Sequence, residues 1–159
     1  MLTRAQYGTK EYDETVALRT EVLRAHLGLE LGREELDDEK DSFHLVSWRD
    51  NAIVACLVLM PQSKKQLKMR QLAVREDCRR EGVARALVSY AESFAKDHGY
   101  EEMVLHARET ALGFYEKMGY LTEGDRFNEV TLPHFRMRKN LSKDEGAATQ
   151  DAIRQRSLK

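Results

Sequence analysis

The chain has 159 residues and a formal net charge of −1, with 42% hydrophobic and 33% charged residues. That length suits one domain with its own core, and the near-neutral balance gives no argument for nucleic acid or a membrane surface. No apolar run reaches membrane-spanning length, and the two cysteines, Cys56 and Cys78, form neither a metal spacing nor a disulfide framework. Nothing leader-like precedes Leu2, so the simplest expectation is a cytoplasmic protein without a metal.

In chain order, residues 2–7 read as a short strand. Over residues 11–26 the apolar positions Val16, Leu18, Val22 and Leu23 recur at helical spacing, and residues 33–40 read as a short acidic helix or turn. Two strands follow, residues 42–48 and 52–60, joined by Asp50-Asn51, which tolerates the left-handed backbone of a tight turn. The second is apolar on both faces and belongs in a sheet interior. Residues 66–75 form another strand. The helix beginning after Gly82 presents Val83, Leu87, Tyr90, Ala91 and Phe94 on one face, and Gly99 closes it. A strand over residues 102–106, a helix over residues 109–118 closed by Gly119, and strands 120–132 and 134–139 broken at Pro133 complete the order. Periodicity supports an α/β or α+β fold mixing hairpins with one strand–helix–strand crossover. Residues 142–159 are polar, and disorder is the expectation for them.

Charge is uneven. Residues 30–41 hold seven acids and residues 64–80 seven bases. The acidic run reads best as a solvated face. The basic run is read either the same way or as serving a polyanionic ligand. It leads into Arg79-Arg80-Glu81-Gly82-Val83-Ala84-Arg85, where a strand passes through a glycine-containing loop into a helix. The first helical N–H groups lack partners within the helix and carry the positive end of its dipole, which favours an anion. Gly82 permits close approach to the backbone, and Arg79, Arg80 and Arg85 add charge.

The spacing Arg79-x-x-Gly82-x-Ala84 resembles the pyrophosphate loop of the GNAT superfamily, the acetyl-CoA-dependent N-acetyltransferases. Leu72-Ala73-Val74 resembles that family's cofactor-facing strand. The run Ala111-Leu112-Gly113-Phe114-Tyr115-Glu116-Lys117-Met118-Gly119-Tyr120 is similar to its A-x-x-F-Y-E-K-x-G-F/Y segment. The three occur in the family's order, and the resemblance spans residues 69–139. It implies a GNAT-like, mostly antiparallel central sheet flanked by helices, a single domain over residues 1–141, and acetyl transfer to a primary amine through a tetrahedral intermediate.

The resemblance also implies roles. The backbone of Leu72 and Val74, flanking Ala73, would pair with the pantetheine arm of acetyl-CoA. The amides of Arg79, Arg80, Glu81, Gly82, Val83 and Ala84 would receive its diphosphate, with Arg85, Phe114 and Lys117 alongside. A backbone N–H near Leu72 would stabilise the oxyanion. Tyr115 lies where the family's general acid lies, and a phenol is close enough in acidity to a thiol to share its proton; the alternative is a packing aromatic beside Phe114. Two departures stand out. The early glutamate that some members use as a base is replaced at the comparable position by Lys68, leaving Glu129, His44 and His134 as candidates for deprotonating the amine. The asparagine that many members carry before the tyrosine helix is replaced by Arg108, which would bind a phosphate or an acceptor carboxylate. The acceptor is a small-molecule or peptide amine, and a homodimer is compatible with the resemblance. A non-catalytic acyl-CoA-binding sensor is the alternative, motivated by the missing early acid.

Overall fold

A computed structural model describes residues 1–142; the expectation for residues 143–159 lies outside them. Seven strands form a mostly antiparallel sheet in the order β1-β2-β3-β4-β5-β7-β6. They are β1 (Leu2–Ala5), β2 (Phe43–Arg49), β3 (Ala52–Pro61), β4 (Gln66–Val74), β5 (Glu102–Arg108), β6 (Leu121–Glu129) and β7 (Leu132–Asn140). The helices are α1 (Lys10–Arg19), α2 (Arg33–Asp37), α3 (Val83–Asp97) and α4 (Leu112–Lys117). The chain falls into two compact units, Met1–Pro61 with Lys68–Ala91, and Gln62–Leu67 with the chain from Glu92 onward.

In the first unit, β3 is buried from Ile53 to Leu59, as its two-faced apolar sequence requires. Asp50 and Asn51 both adopt left-handed φ, +50° and +66°, closing the β2–β3 hairpin as expected. Ala5, Leu18, Val46, Ile53, Cys56 and Ala73 form one apolar cluster, with Val22, Leu23 and Trp48 packed on it. Cys56 is core, as its sequence context implied, and burial pushes its thiol up to about 12. Thr9 caps α1, its hydroxyl accepting from the Tyr12 N–H at 3.3 Å. The helical stretch read over residues 11–26 changes pitch after α1, widening to a π-turn over Thr20–Arg24 and tightening to a 3-10 turn over Ala25–Leu27. Its buried face differs from the apolar reading: Tyr12, Thr15, Leu18 and Arg19 are buried, and Val16 is not.

The second unit is organised by the β5–β7–β6 ladder. Gly119 has φ +94°, with its N–H donating to Glu116 O and the Tyr120 N–H donating to Tyr115 O, both at 3.0 Å. This is the glycine helix end expected from sequence. Glu92, near the middle of α3, accepts from the Tyr120 hydroxyl at 2.8 Å and from Lys139 Nζ at 2.9 Å. The last two strands turn at Val130 and Thr131, with φ +50° and +64°, rather than at Pro133. Pro133 is the second residue of β7, opposite Asn128. Thr131, read from sequence as part of the strand over residues 120–132, therefore lies in the turn. In β6 the register jumps from Glu123 opposite Arg136 to Phe127 opposite His134, a bulge that contains Gly124 at φ +75°.

Candidate active site

In the first unit, β4 carries an interruption that its sequence does not announce. Gln71 has φ +54°, a left-handed backbone inside a strand. Its side chain is held by Arg19, whose Nη1 donates to Gln71 Oε1 at 2.6 Å. Arg19 is fully buried and also grips Glu39 with two bonds, 2.6 and 3.0 Å. Tyr12 completes the set, its hydroxyl donating to Glu39 Oε1 at 2.9 Å. Burial opposes the Arg19 charge, the Glu39 carboxylate overcomes it, and the net displacement is upward. Burial and the neighbouring Glu39 together raise the Tyr12 phenol. Gln71 Nε2 lies 3.5 Å from Glu35 Oε2, and Glu35 is gripped by Arg24 through two bonds of 3.0 Å. Within the acidic run, Glu39 is thus a buried counter-ion and Glu35 a half-buried one, which corrects the solvated-face reading at those positions. The signal for this was a pair of arginines, Arg19 and Arg24, five residues apart in the helical stretch read over residues 11–26.

The loop after β4 keeps its expected form. Residues 79–82 are exposed, and Arg80 and Gly82 take left-handed φ, +64° and +79°. The Ala86 N–H donates to Gly82 O at 3.0 Å, so Gly82 caps α3 and the N–H groups of Val83, Ala84 and Arg85 precede the first helical bond. A Cβ on Gly82 would meet nothing within 4 Å. Within the protein alone, the glycine is therefore required by its φ and not by crowding. Among the described residues Arg79, Arg80 and Arg85 have no carboxylate partner, whereas Arg75 is bound to Asp77 and Glu81 to Arg49. Leu72 and Val74 are half-buried on either side of buried Ala73.

In the second unit, Tyr115 is 8% exposed, with its ring edge-on to Phe114 at 5.0 Å and to Tyr120 at 5.7 Å. Burial raises its phenol, which keeps it protonated. Lys117 is exposed on the same short helix, and Arg108 ends β5 half-buried.

The base candidates separate. His44 is buried, its Nε2 against Glu39 O at 3.1 Å and its Nδ1 without a hydrogen-bond partner; burial holds its pKa below the ordinary value. Glu129 and His134 come together with a residue that sequence reasoning missed, His106. His106 Nδ1 is 2.9 Å from Glu129 Oε1, and His134 Nε2 is 3.7 Å from Glu129 Oε2. Phe127 lies edge-on to His106 at 4.9 Å and stacks on His134 at 6.0 Å. The signal for this cluster was the pairing of three strands, which a hairpin turn placed at Pro133 obscures.

Among the described residues, no cluster of His, Cys, Asp or Glu could hold a metal ion, and no helix is long and apolar enough to cross a membrane. The profile of the acetyltransferase (GNAT) domain matches residues 10–141. The chain is 26% identical over 126 residues to the uncharacterized N-acetyltransferase YitI of Bacillus subtilis, covering 76% of this chain and 85% of YitI. It is 38% identical over 80 residues to N-acetyltransferase 8F1 of Rattus norvegicus, spanning 47% of this chain but only 36% of that protein. Its fold matches an acyl-CoA N-acyltransferase from Pseudomonas aeruginosa with a TM-score of 0.75 at 23% identity, covering 87% of this chain and 98% of the other. A GNAT family acetyltransferase from Elizabethkingia anophelis, solved with acetyl-CoA bound, matches with a TM-score of 0.68 at 17% identity, covering 88% and 98%.

Proposed function

The chain belongs to the GNAT acetyltransferase family and is an acyltransferase, and from that premise we propose that it moves the acetyl group of acetyl-CoA directly onto a primary amine of a small molecule or peptide. Residues 1–141 act as its catalytic domain. The observation that carries the reading is the exposed loop 79–82, left-handed at Arg80 and Gly82, which opens α3 beneath three arginines without carboxylate partners. Free backbone donors, a helix N-terminus and unneutralised guanidinium groups are what a diphosphate requires. The open space around Gly82 fits a ligand lying against the backbone.

In this reading the main chain of Leu72 and Val74, on either side of Ala73, pairs with the pantetheine arm. The amides of residues 79–84 receive the diphosphate, and Arg79, Arg80 and Arg85 supply charge. Glu81, tied to Arg49, contributes only its backbone. The left-handed turn at Gln71 redirects the backbone immediately before Leu72, and an N–H aimed there stabilises the oxyanion of the tetrahedral intermediate. Tyr115, kept protonated by burial, protonates the leaving thiolate. Phe114, Lys117 and Arg108 keep the cofactor-binding roles that the resemblance implies for them.

Calorimetric titration of acetyl-CoA into the wild type and Gly82→Glu tests the cofactor assignment. Micromolar binding that the variant loses by at least tenfold is expected. Equal binding by both proteins removes the loop from the site, and no binding by the wild type removes the reading.

A further inference from the structure

The amine acceptor of an acetyl transfer arrives protonated, and the position that resembles the family's early glutamate holds Lys68, which cannot accept a proton from it. The geometry points to His106 as the general base of this reaction, with Glu129 as its positioning residue. The inference rests on the acetyltransferase reading above and adds the group that reading lacks.

Four observations carry it. Glu129 Oε1 lies 2.9 Å from His106 Nδ1. A carboxylate only accepts, so Nδ1 carries the hydrogen and Nε2 carries the ring's lone pair. This is the orientation in which a carboxylate fixes an imidazole as a base. Second, the side chains are 19% and 41% exposed for His106 and Glu129, so the pair is sheltered yet reachable by solute. Third, three strands hold it. His106 is opposite Arg136, Arg108 opposite His134 and Phe127 opposite His134, so these side chains share one sheet face. Phe127 buttresses the His106 ring edge-on at 4.9 Å. Fourth, His106 stands two residues before the end of β5, and the chain passes from there through the Glu109–Ala111 turn into the helix bearing Tyr115.

The other candidates fit the task less well. His134 donates its Nδ1–H to Leu132 O at 2.9 Å, and its ring is buried. His44 is buried against Glu39 O. Glu129 acting alone would leave the imidazole at its side without a role. On the sheet face of His106 lie Glu129 on β6, His134 and Arg136 on β7, and Arg108 on its own strand; Arg136 is bound to Glu123 at 2.8 Å.

The proton balance closes without another reactant. An acceptor R–NH3+ gives one proton to His106 Nε2, and the freed lone pair forms the C–N bond at the thioester carbonyl carbon. The tetrahedral intermediate expels the thiolate as the C–S bond breaks, with that electron pair on sulfur. The thiolate takes the Tyr115 hydroxyl proton, the remaining excess proton on nitrogen returns to the tyrosinate through water, and His106 releases its proton to solvent. The products are the amide, CoA thiol and one proton.

The test uses the full chain, acetyl-CoA, and spermidine, lysine amide and phenylethylamine as acceptors, with thiol release as the readout. His106→Gln is expected to lower kcat by about 100-fold and to remove the acidic limb of the kcat pH profile. Acetyl-CoA binding by calorimetry stays within threefold of wild type. Glu129→Gln lowers kcat by about 10-fold and keeps a limb, displaced to lower pH. Wild-type turnover with His106→Gln within threefold of it overturns the inference while leaving the acetyltransferase reading intact. A wild type that neither binds acetyl-CoA nor releases thiol overturns that reading, and this inference with it. Ring NMR of His106 decides the pair independently of which amines are accepted: a titration midpoint at least 1 unit lower in Glu129→Gln supports it, and an unchanged midpoint overturns it.

Discussion

Arg19–Glu39 and His106–Glu129 are both pairs of a basic side chain and a carboxylate at hydrogen-bond distance, 2.6 and 2.9 Å. They differ in water. The first pair is 0% and 2% exposed, and its partners, Tyr12 and Gln71, are also fixed. The second is 19% and 41% exposed and contains an imidazole, a group that, unlike a guanidinium, can exchange its proton while the protein stays folded. A dry arginine pair cannot change its charge without unfolding the site around it. It holds the strained backbone at Gln71 in place. A half-wet histidine pair can cycle. A carboxylate partnered to a basic side chain is therefore no signature of catalysis until its exposure and its partner's capacity to exchange a proton are known.

The sharpest way to break this contrast is to remove one partner from the dry pair. Arg19→Met leaves the Glu39 charge buried without its counter-ion and should destabilise the fold by about 3–5 kcal/mol in urea unfolding. Adding Glu39→Leu should recover a substantial part of that loss, because the charge goes with its partner. Equal stability of Arg19→Met and wild type would show that the pair is not needed to hold the strand.

A smaller effect, on rate alone, is expected in the second unit. Tyr115→Phe keeps the ring packed against Phe114 and Tyr120 and removes only the hydroxyl. Its kcat should fall by about 100-fold, with acetyl-CoA affinity unchanged in the same calorimetric assay. Turnover at the wild-type rate would reduce Tyr115 to a packing aromatic.

The smallest effect concerns His44, the titratable group packed against the dry pair. Burial, the largest cause, holds its folded-state pKa below the ordinary value near 6.5. The unfolded chain therefore binds a proton at a pH where the folded chain does not. Its contribution to stability is complete above that ordinary value and is lost as pH falls below it. Urea midpoints should drop between pH 7 and pH 5, and His44→Gln should drop less steeply. Parallel pH slopes for the two proteins would clear His44 of this role.

Features written within a few residues were legible from sequence. Asp50-Asn51 forms the turn its chemistry dictates. The Arg79-x-x-Gly82-x-Ala84 loop opens a helix, and Gly99 and Gly119 end theirs with positive φ. Tyr115 lies on the helix read for it. Features that depend on partners far along the chain were not. Arg19 looks like a surface residue in Leu18-Arg19-Thr20, because helical periodicity does not report that Glu39 and Gln71 will meet it, 20 and 52 residues away. His106 sits in an apolar strand, and its partner is 23 residues on, across a hairpin whose turn lies at Val130-Thr131. Gln71 shows the same limit from the backbone side. Nothing in a glutamine foretells a left-handed conformation, since the side chains gripping it come from elsewhere.

The bulge in β6 bears on how copies of this chain meet. Among the described residues β6 is the last strand in the sheet order, and one side of its main chain faces no further strand of them. An outer strand that is straight and apolar invites another molecule to extend the sheet. Here the step from Glu123 to Phe127 bends the strand at Gly124, and exposed Asp125 and Arg126 project from the bend. An incoming strand would find no continuous run of hydrogen-bonding groups across the bend, although Leu121 at the start of the strand is exposed. Pairing along this border would therefore be confined to the short stretches on either side of the bend.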